Sequence, residues 1–181
     1  VVELFKFMED HGLKPSDRAF NTAIKACGHG RKWEQVLDLL ETMEDRGLQP
    51  DTRAFGEAIE ACVKCRKWDK APGLLKSMHS RGFQPTGRMV NTVIRACGNA
   101  GQWEKVLELF DSMEQSGLRP DFYSFTSIIN ACGNGGKWEK ALELFESMEG
   151  RGLHPNVITF NCAIGACCAS GKWKQATELL E

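Results

Sequence analysis

A side chain able both to donate and to accept a hydrogen bond recurs on a 35-residue period, at Asn21, Asn91, Thr126 and Asn161, with Gly56 in the intervening slot. Each falls early in a segment of helical pattern, where helix propensity would choose Ala, Glu or Leu. Arg18 three residues before Asn21 and Lys25 four after it place the amide on a face beside the apolar stripe. An amide repeated on a helix face needs a polar partner, and recognition of a polar edge is the chemistry it suits. A second series, Ser16, Asp51, Thr86, Asp121 and Asn156, follows a proline every time. All five belong to the helix-capping set, so capping alone accounts for that pattern.

Catalytic and metal-binding arrangements find no support. There is no Gly-rich phosphate loop, no HExxH and no paired acids at a plausible site, so this stretch is expected not to be an enzyme and to need no cofactor. Cys62-x-x-Cys65 stands alone, whereas a structural zinc site wants a second pair or added histidines. His11, His29, His79 and His154 are scattered over turns and helix ends without metal spacing. Five of the eight cysteines, Cys27, Cys62, Cys97, Cys132 and Cys167, stand 35 residues apart, each presented to the same environment. That predicts buried, reduced core thiols in an intracellular compartment rather than bridges.

These positions are set by a repeat that runs through the whole chain. Tryptophans at 33, 68, 103, 138 and 173, prolines at 15, 50, 85, 120 and 155, and methionines at 8, 43, 78, 113 and 148 share one register. Within the unit 17–51, Phe20, Ile24 and Cys27 form one apolar stripe, and the Gly28-His29-Gly30 stretch is expected to break that helix. Trp33, Val36, Leu37, Leu40 and Met43 form a second stripe, with the tryptophan expected in the core. Gly47 suits the left-handed C′ position, with Leu48 behind it for the usual apolar contact. Pro72-Gly73 interrupts the second helix of the unit 52–86, which predicts either a late start near Asp69 or a kink at Pro72.

One helix pair cannot bury both stripes, so neighbours must stack. The expected fold is all-α: a right-handed superhelical α-solenoid of antiparallel helix pairs. It comprises a half repeat at 1–16, full repeats at 17–51, 52–86, 87–121 and 122–156, and a partial repeat at 157–181. With no initiator Met and a helical pattern at both ends, the array is expected to be a fragment of a longer protein.

Phe-Asn-Thr at 20–22, Ala-Cys-Gly at 26–28, 96–98 and 131–133, Leu-Glu-Leu-Phe-Glu-Ser-Met-Glu at 142–149 and the Arg-Gly-Leu-x-Pro runs resemble the pentatricopeptide repeat, in its plain 35-residue class. The resemblance spans the full chain. It implies sequence-specific binding of single-stranded RNA in a mitochondrion or chloroplast, one base per repeat, with the plastid style of repeat favouring the chloroplast. The fifth and last positions of each unit would read the base. The implied pairs are Asn21 with Asp51, Gly56 with Thr86, Asn91 with Asp121 and Thr126 with Asn156, while Asn161 lacks its partner. The second position, which would stack on or between bases, is Arg18, Arg53, Arg88, Tyr123 and Ile158. The lysine that often closes the first helix, and that would grip the phosphate backbone, is present only as Lys64. Asn with Asp implies uracil and Thr with Asn adenine, giving an expected core 5′-U-N-U-A-Y-3′.

Charge is compatible with that reading. The formal net charge is −1, so no global field draws the chain to nucleic acid or membrane. Locally, the first-helix segments carry six Lys/Arg against three Asp/Glu, and the second-helix segments twelve against nineteen. A basic inner and acidic outer layer is what a phosphate-tracking groove requires. No apolar run approaches the ~18 residues of a membrane helix. The rival expectation is a helical-repeat scaffold that binds other proteins through its surface or ends, favoured by the near-neutral charge and the missing lysines.

Overall fold

The computed structural model describes Phe5 and residues 11–179. The described helices are α1 (Asp17–His29), α2 (Trp33–Asp45), α3 (Thr52–Lys64), α4 (Ala71–Ser80), α5 (Gly87–Asn99), α6 (Trp103–Gln115), α7 (Phe122–Asn134), α8 (Trp138–Gly150), α9 (Val157–Ala169) and α10 (Trp173–Glu178). The fold is all-helical, one pair per 35 residues, as expected. The second helix expected within 1–16, and Met8 with it, lies largely outside the described residues. The chain divides into two compact units, Val1–Pro85 and Thr86–Glu181.

In the first unit α1 packs on α2 and α3, and α3 packs on α4. In the second, α5, α7 and α9 pack in succession, each against its own second helix, while α6 also touches α7 and α8 touches α9. Among the described residues the second helices of a unit make no close backbone approach to one another. Within each unit the first helices therefore form one packed layer, and what lies on their N-terminal turns recurs along it.

The apolar stripes explain this layering. Phe20, Ile24 and Cys27 are buried, as are Phe55, Ile59 and Cys62, and Phe125, Ile129 and Cys132. Burying one such Phe or Ile stabilises the fold by ~1.5–3 kcal/mol. Close approach between first helices needs small residues: a Cβ at Gly133 would stand 2.8 Å from that of Ala166. The Ala-Cys-Gly run thus puts a thiol in the core and a glycine against the next repeat.

Here two expectations are corrected. The Gly28-His29-Gly30 stretch does not break α1, which continues through His29 with Gly28 buried inside it. The reversal falls one residue after the C-cap, at Arg31 (φ 55°), and at Arg66, Gly101, Gly136 and Gly171 in the other repeats. The next N–H then reaches the carbonyl of the buried cysteine, as in Lys32 N to Cys27 O at 2.9 Å and Lys137 N to Cys132 O at 2.8 Å. Second, the tryptophans are not deep core. Trp33, Trp68, Trp103 and Trp138 are half-buried and Trp173 is exposed. Trp33, Trp103, Trp138 and Trp173 each open a helix, where the first turn faces the next loop rather than the interior, and Trp68 lies just before the late-starting α4. Lys67 lies over Trp33, Lys137 over Trp103 and Lys172 over Trp138 at 4.7–5.1 Å from the ring centroids, joining successive repeats.

Other expectations hold. Gly47 is left-handed (φ 72°), and Leu48 N donates to Met43 O at 2.9 Å, closing α2. The proline-bearing helix starts late: α4 begins at Ala71, with Pro72 in its first turn, where the missing N–H would have had no intrahelical acceptor. Arg81 in the connection after α4 pairs with Glu44 at 2.5 Å and lies over Phe55, and Arg151 pairs with Glu114 and lies over Phe125. The run Arg-Gly-Phe-x-Pro at 81–85, or Arg-Gly-Leu-x-Pro at 151–155, thus ties one second helix to the one before it.

Candidate functional site

The residue before each first helix is extended, and its side chain accepts a backbone N–H of the first turn. Ser16 accepts from Ala19, Asp51 from Ala54, Thr86 from Met89, Asp121 from Ser124 and Asn156 from Thr159, at 2.8–3.4 Å. All five are N-caps, so the capping account of this series is correct. A carboxylate has a second oxygen, however, and two of the caps use it to reach back one repeat. Asn21 Nδ2 donates to Asp51 Oδ2 at 3.2 Å, while Asp51 Oδ1 takes the cap bond. Asn91 Nδ2 lies 3.0 and 3.2 Å from the two oxygens of Asp121. Capping and pairing are one arrangement, in which the cap fixes a carboxylate for the asparagine 30 residues earlier.

The other expected pairs differ. Thr126 donates its hydroxyl proton to Phe122 O at 2.8 Å, leaving its oxygen only lone pairs to offer. Asn156 spends its Oδ1 on Ile158 N, Thr159 N and Thr159 Oγ1, which leaves Nδ2 as a donor. Among the described residues no hydrogen bond joins these two. Gly56 contributes no polar group, and Thr86, its expected partner, caps α5 in the other unit. Asn161 is exposed.

The third repeat assembles the fullest site. Arg88, Asn91, Thr92, Arg95, Asp121, Tyr123 and Ser127 line an open cleft of about 300 Å³. Two second-position residues, Arg88 and Tyr123, thus share one cleft with the pair expected to read a base. Tyr123 is 73 % exposed and Ile158 59 %, large apolar surfaces left bare on first turns. Arg18 and Arg53 are exposed as well. Two guanidinium groups against one carboxylate leave the cleft positive. Arg95 was not singled out from the sequence. Its signal was the register it shares with Lys25, four residues beyond the reading asparagine. Lys64, the expected phosphate contact, is paired with Glu60 at 3.3 Å.

None of the thiols lines this cleft. The five in-register cysteines are buried, Cys65 and Cys162 are half-buried and Cys168 is exposed. The Cys65 sulfur sits 3.2 Å from Arg31 O, so the Cys-x-x-Cys spacing holds one core and one loop thiol. Among the described residues no His/Cys/Asp/Glu group could hold a metal ion, and no helix is long and apolar enough to cross a membrane.

Comparison with known proteins bears on this arrangement. The chain matches the family described as Pentatricopeptide repeat domain over residues 38–100, 73–135 and 108–170, and that described as PPR repeat over 18–48. No curated protein matches it. Among solved structures it is similar to the pentatricopeptide repeat protein PPR10 from maize, with 28 % identity and a TM-score of 0.68 over 99 % of this chain. It spans 26 % of that protein's chain. PPR10 in complex with an 18-nt psaJ RNA element gives 18 % identity and a TM-score of 0.61, over 99 % of this chain and 31 % of the other. The PPR domain of Arabidopsis thaliana protein-only RNase P 1, in complex with tRNA, gives 14 % identity and a TM-score of 0.73, over 88 % and 84 %. At those lower identities the likeness is one of fold.

Proposed function

This chain belongs to the pentatricopeptide repeat family, and we propose that it binds single-stranded RNA, one base per repeat, in organellar RNA metabolism. The carrying observation is the Asn91–Asp121 pair in a cleft that also presents Arg88 and Tyr123. A tyrosine ring and a guanidinium plane are both surfaces on which an unpaired base stacks. At the base edge, the second Nδ2 proton of Asn91 remains to donate and the carboxylate of Asp121 retains lone pairs to accept. Uracil presents an N–H flanked by two carbonyl oxygens, which satisfies both. Thr126 offers an acceptor and Asn156 a donor, the complement of an adenine amino group beside its ring nitrogen. The relatives solved with an RNA element and with tRNA support the class of ligand.

The proposed core is 5′-U-N-U-A-Y-3′, with the RNA 5′ end toward the protein N-terminus. These residues act by binding rather than catalysis, in the chloroplast in preference to the mitochondrion. Stacking contributes ~1–3 kcal/mol per base while association costs at least ~4 kcal/mol, so three or four bases give weak binding.

The test is titration of a labelled single strand carrying this core at low salt, beside the same sequence as a duplex and a strand with every reading base exchanged. Binding of the single strand alone, weakening with salt by a slope of ~0.7 per phosphate contacted, supports the reading. If no single-stranded RNA binds, a protein-binding scaffold takes its place.

A further inference from the structure

We propose that Ser124 is a positioning residue for the base-reading pair of the preceding repeat, so that two repeats carrying the same Asn–Asp pair discriminate their bases unequally. This rests on the RNA-reading function above and deepens it. Ser124 is fully buried, with nothing apolar to gain from a hydroxyl. Its Oγ accepts from Asp121 N at 3.1 Å, and its one proton faces two acceptors, Asn91 Oδ1 at 2.6 Å and Asp121 Oδ1 at 2.9 Å, the shorter contact being to the amide. Asn91 Nδ2 faces the Asp121 carboxylate, whose Oδ1 also accepts Ser124 N at 2.9 Å. Both ends of the amide are therefore held, oxygen by the hydroxyl and nitrogen by the carboxylate. The χ2 torsion of asparagine has no sharp staggered minimum, so these partners fix the amide plane and aim its remaining N–H.

The first repeat has the same pair without the hydroxyl. Asn21 Nδ2 donates to Asp51 Oδ2 and Asp51 caps α3 through Ala54 N. Fully buried Ala54 occupies the place of Ser124, and Asn21 Oδ1 is buried with no hydrogen-bond partner. An unpaired buried carbonyl oxygen is unfavourable and is relieved by rotating toward a donor. A base bound at this face would supply such a donor. A rotated Asn21 accepts from the amino group of cytosine as well as it serves uracil, and a clamped Asn91 does not.

The experiment measures binding of the chain to strands with U or C at the first base and, separately, at the third. The U-to-C ratio at the third base should exceed that at the first roughly three- to tenfold, the worth of one well-made hydrogen bond. Ala54→Ser should raise the first-base ratio alone. Ser124→Ala should lower the third-base ratio alone, and Ser124→Thr should preserve it. A merely structural hydroxyl would move the melting temperature and total affinity without moving these ratios. A second readout needs no RNA: the side-chain amide protons of Asn91 should exchange with water more slowly than those of Asn21, and Ser124→Ala should remove the difference. Equal ratios at the two bases, or ratios indifferent to both substitutions while a U preference persists, overturn the positioning role and leave the RNA reading standing. If no base preference exists but the exchange difference does, the base reading fails and the clamp is only structural.

Discussion

Lys137 Nζ lies 4.7 Å from the centroid of the Trp103 ring, and the two belong to successive repeats. The ring also covers Gly135, where a Cβ would overlap it. Trp103 is thus a clamp across a repeat junction rather than a core side chain. Its loss costs less than that of a fully enclosed tryptophan. Trp103→Ala should destabilise by ~1.5–3 kcal/mol, short of the ~3–5 kcal/mol typical of core Trp→Ala changes. Denaturant unfolding checks this. A cost in the core range would mean the ring is enclosed after all.

Two helix ends are strained, and the strain is removable. Arg31 and Arg66 hold φ of 55° and 58° where the other repeats have Gly101, Gly136 and Gly171. The left-handed conformation costs a side-chain-bearing residue ~1–2 kcal/mol, partly offset because glycine gives the unfolded chain more freedom. Arg31→Gly and Arg66→Gly should each raise stability by ~0.5–1 kcal/mol. A drop in melting temperature for both would show that the arginine side chains make contacts worth more than the strain.

These helix ends also show where sequence reading stops. The period placed the helices, Gly47 as a C′ residue and the late start forced by Pro72, because local backbone rules decide all three. It misplaced the break after α1, since a glycine inside Ala-Cys-Gly serves packing against Ala61 and its equivalents rather than a turn. It put tryptophan in the core, because a hydrophobic stripe does not reveal that its first member faces a loop of the next repeat. Within the site the recurring asparagine and the capping carboxylate were legible from spacing, while their pairing came only from the family resemblance. The hydrogen bond of Ser124 was not, because it depends on which atoms meet across 33 residues.

The buried thiols predict an alkaline loss of stability. Burial pushes Cys132 from 9.0 up to about 11, and burial with the neighbouring Cys65 and Asp69 does the same for Cys62. In the unfolded chain these thiols lose their protons first, so above the unfolded value the native state holds more protons. Stability is then full below pH 9 and is lost as pH rises toward 11. The melting temperature should fall through that window, and less steeply in a Cys62→Ala, Cys132→Ala variant. A thiol reagent at neutral pH should modify exposed Cys168 well before either. An equal slope in the double variant would assign the loss to other groups.

Base identity is best tested by exchanging one reading pair for another already in the chain. Asn91→Thr with Asp121→Asn gives the third repeat the pair that the fourth carries as Thr126 and Asn156. Asparagine caps a helix about as well as aspartate, so α7 keeps its N-terminus and stability should change by less than ~0.5 kcal/mol. The chemistry of the edge changes more. The carboxylate acceptor is replaced by an amide that can donate, and the amide donor by a hydroxyl whose proton is free to bond Gly87 O, the carbonyl four residues back, as Thr126 bonds Phe122 O. The preference at the third base should move from U to A while that at the fourth stays at A. Asp121→Ala provides the contrast: it removes the cap, at a cost of ~1 kcal/mol, and with it discrimination at the third base. A swap that weakens every base equally would mean that Asn91 and Asp121 hold the repeats together and do not read RNA.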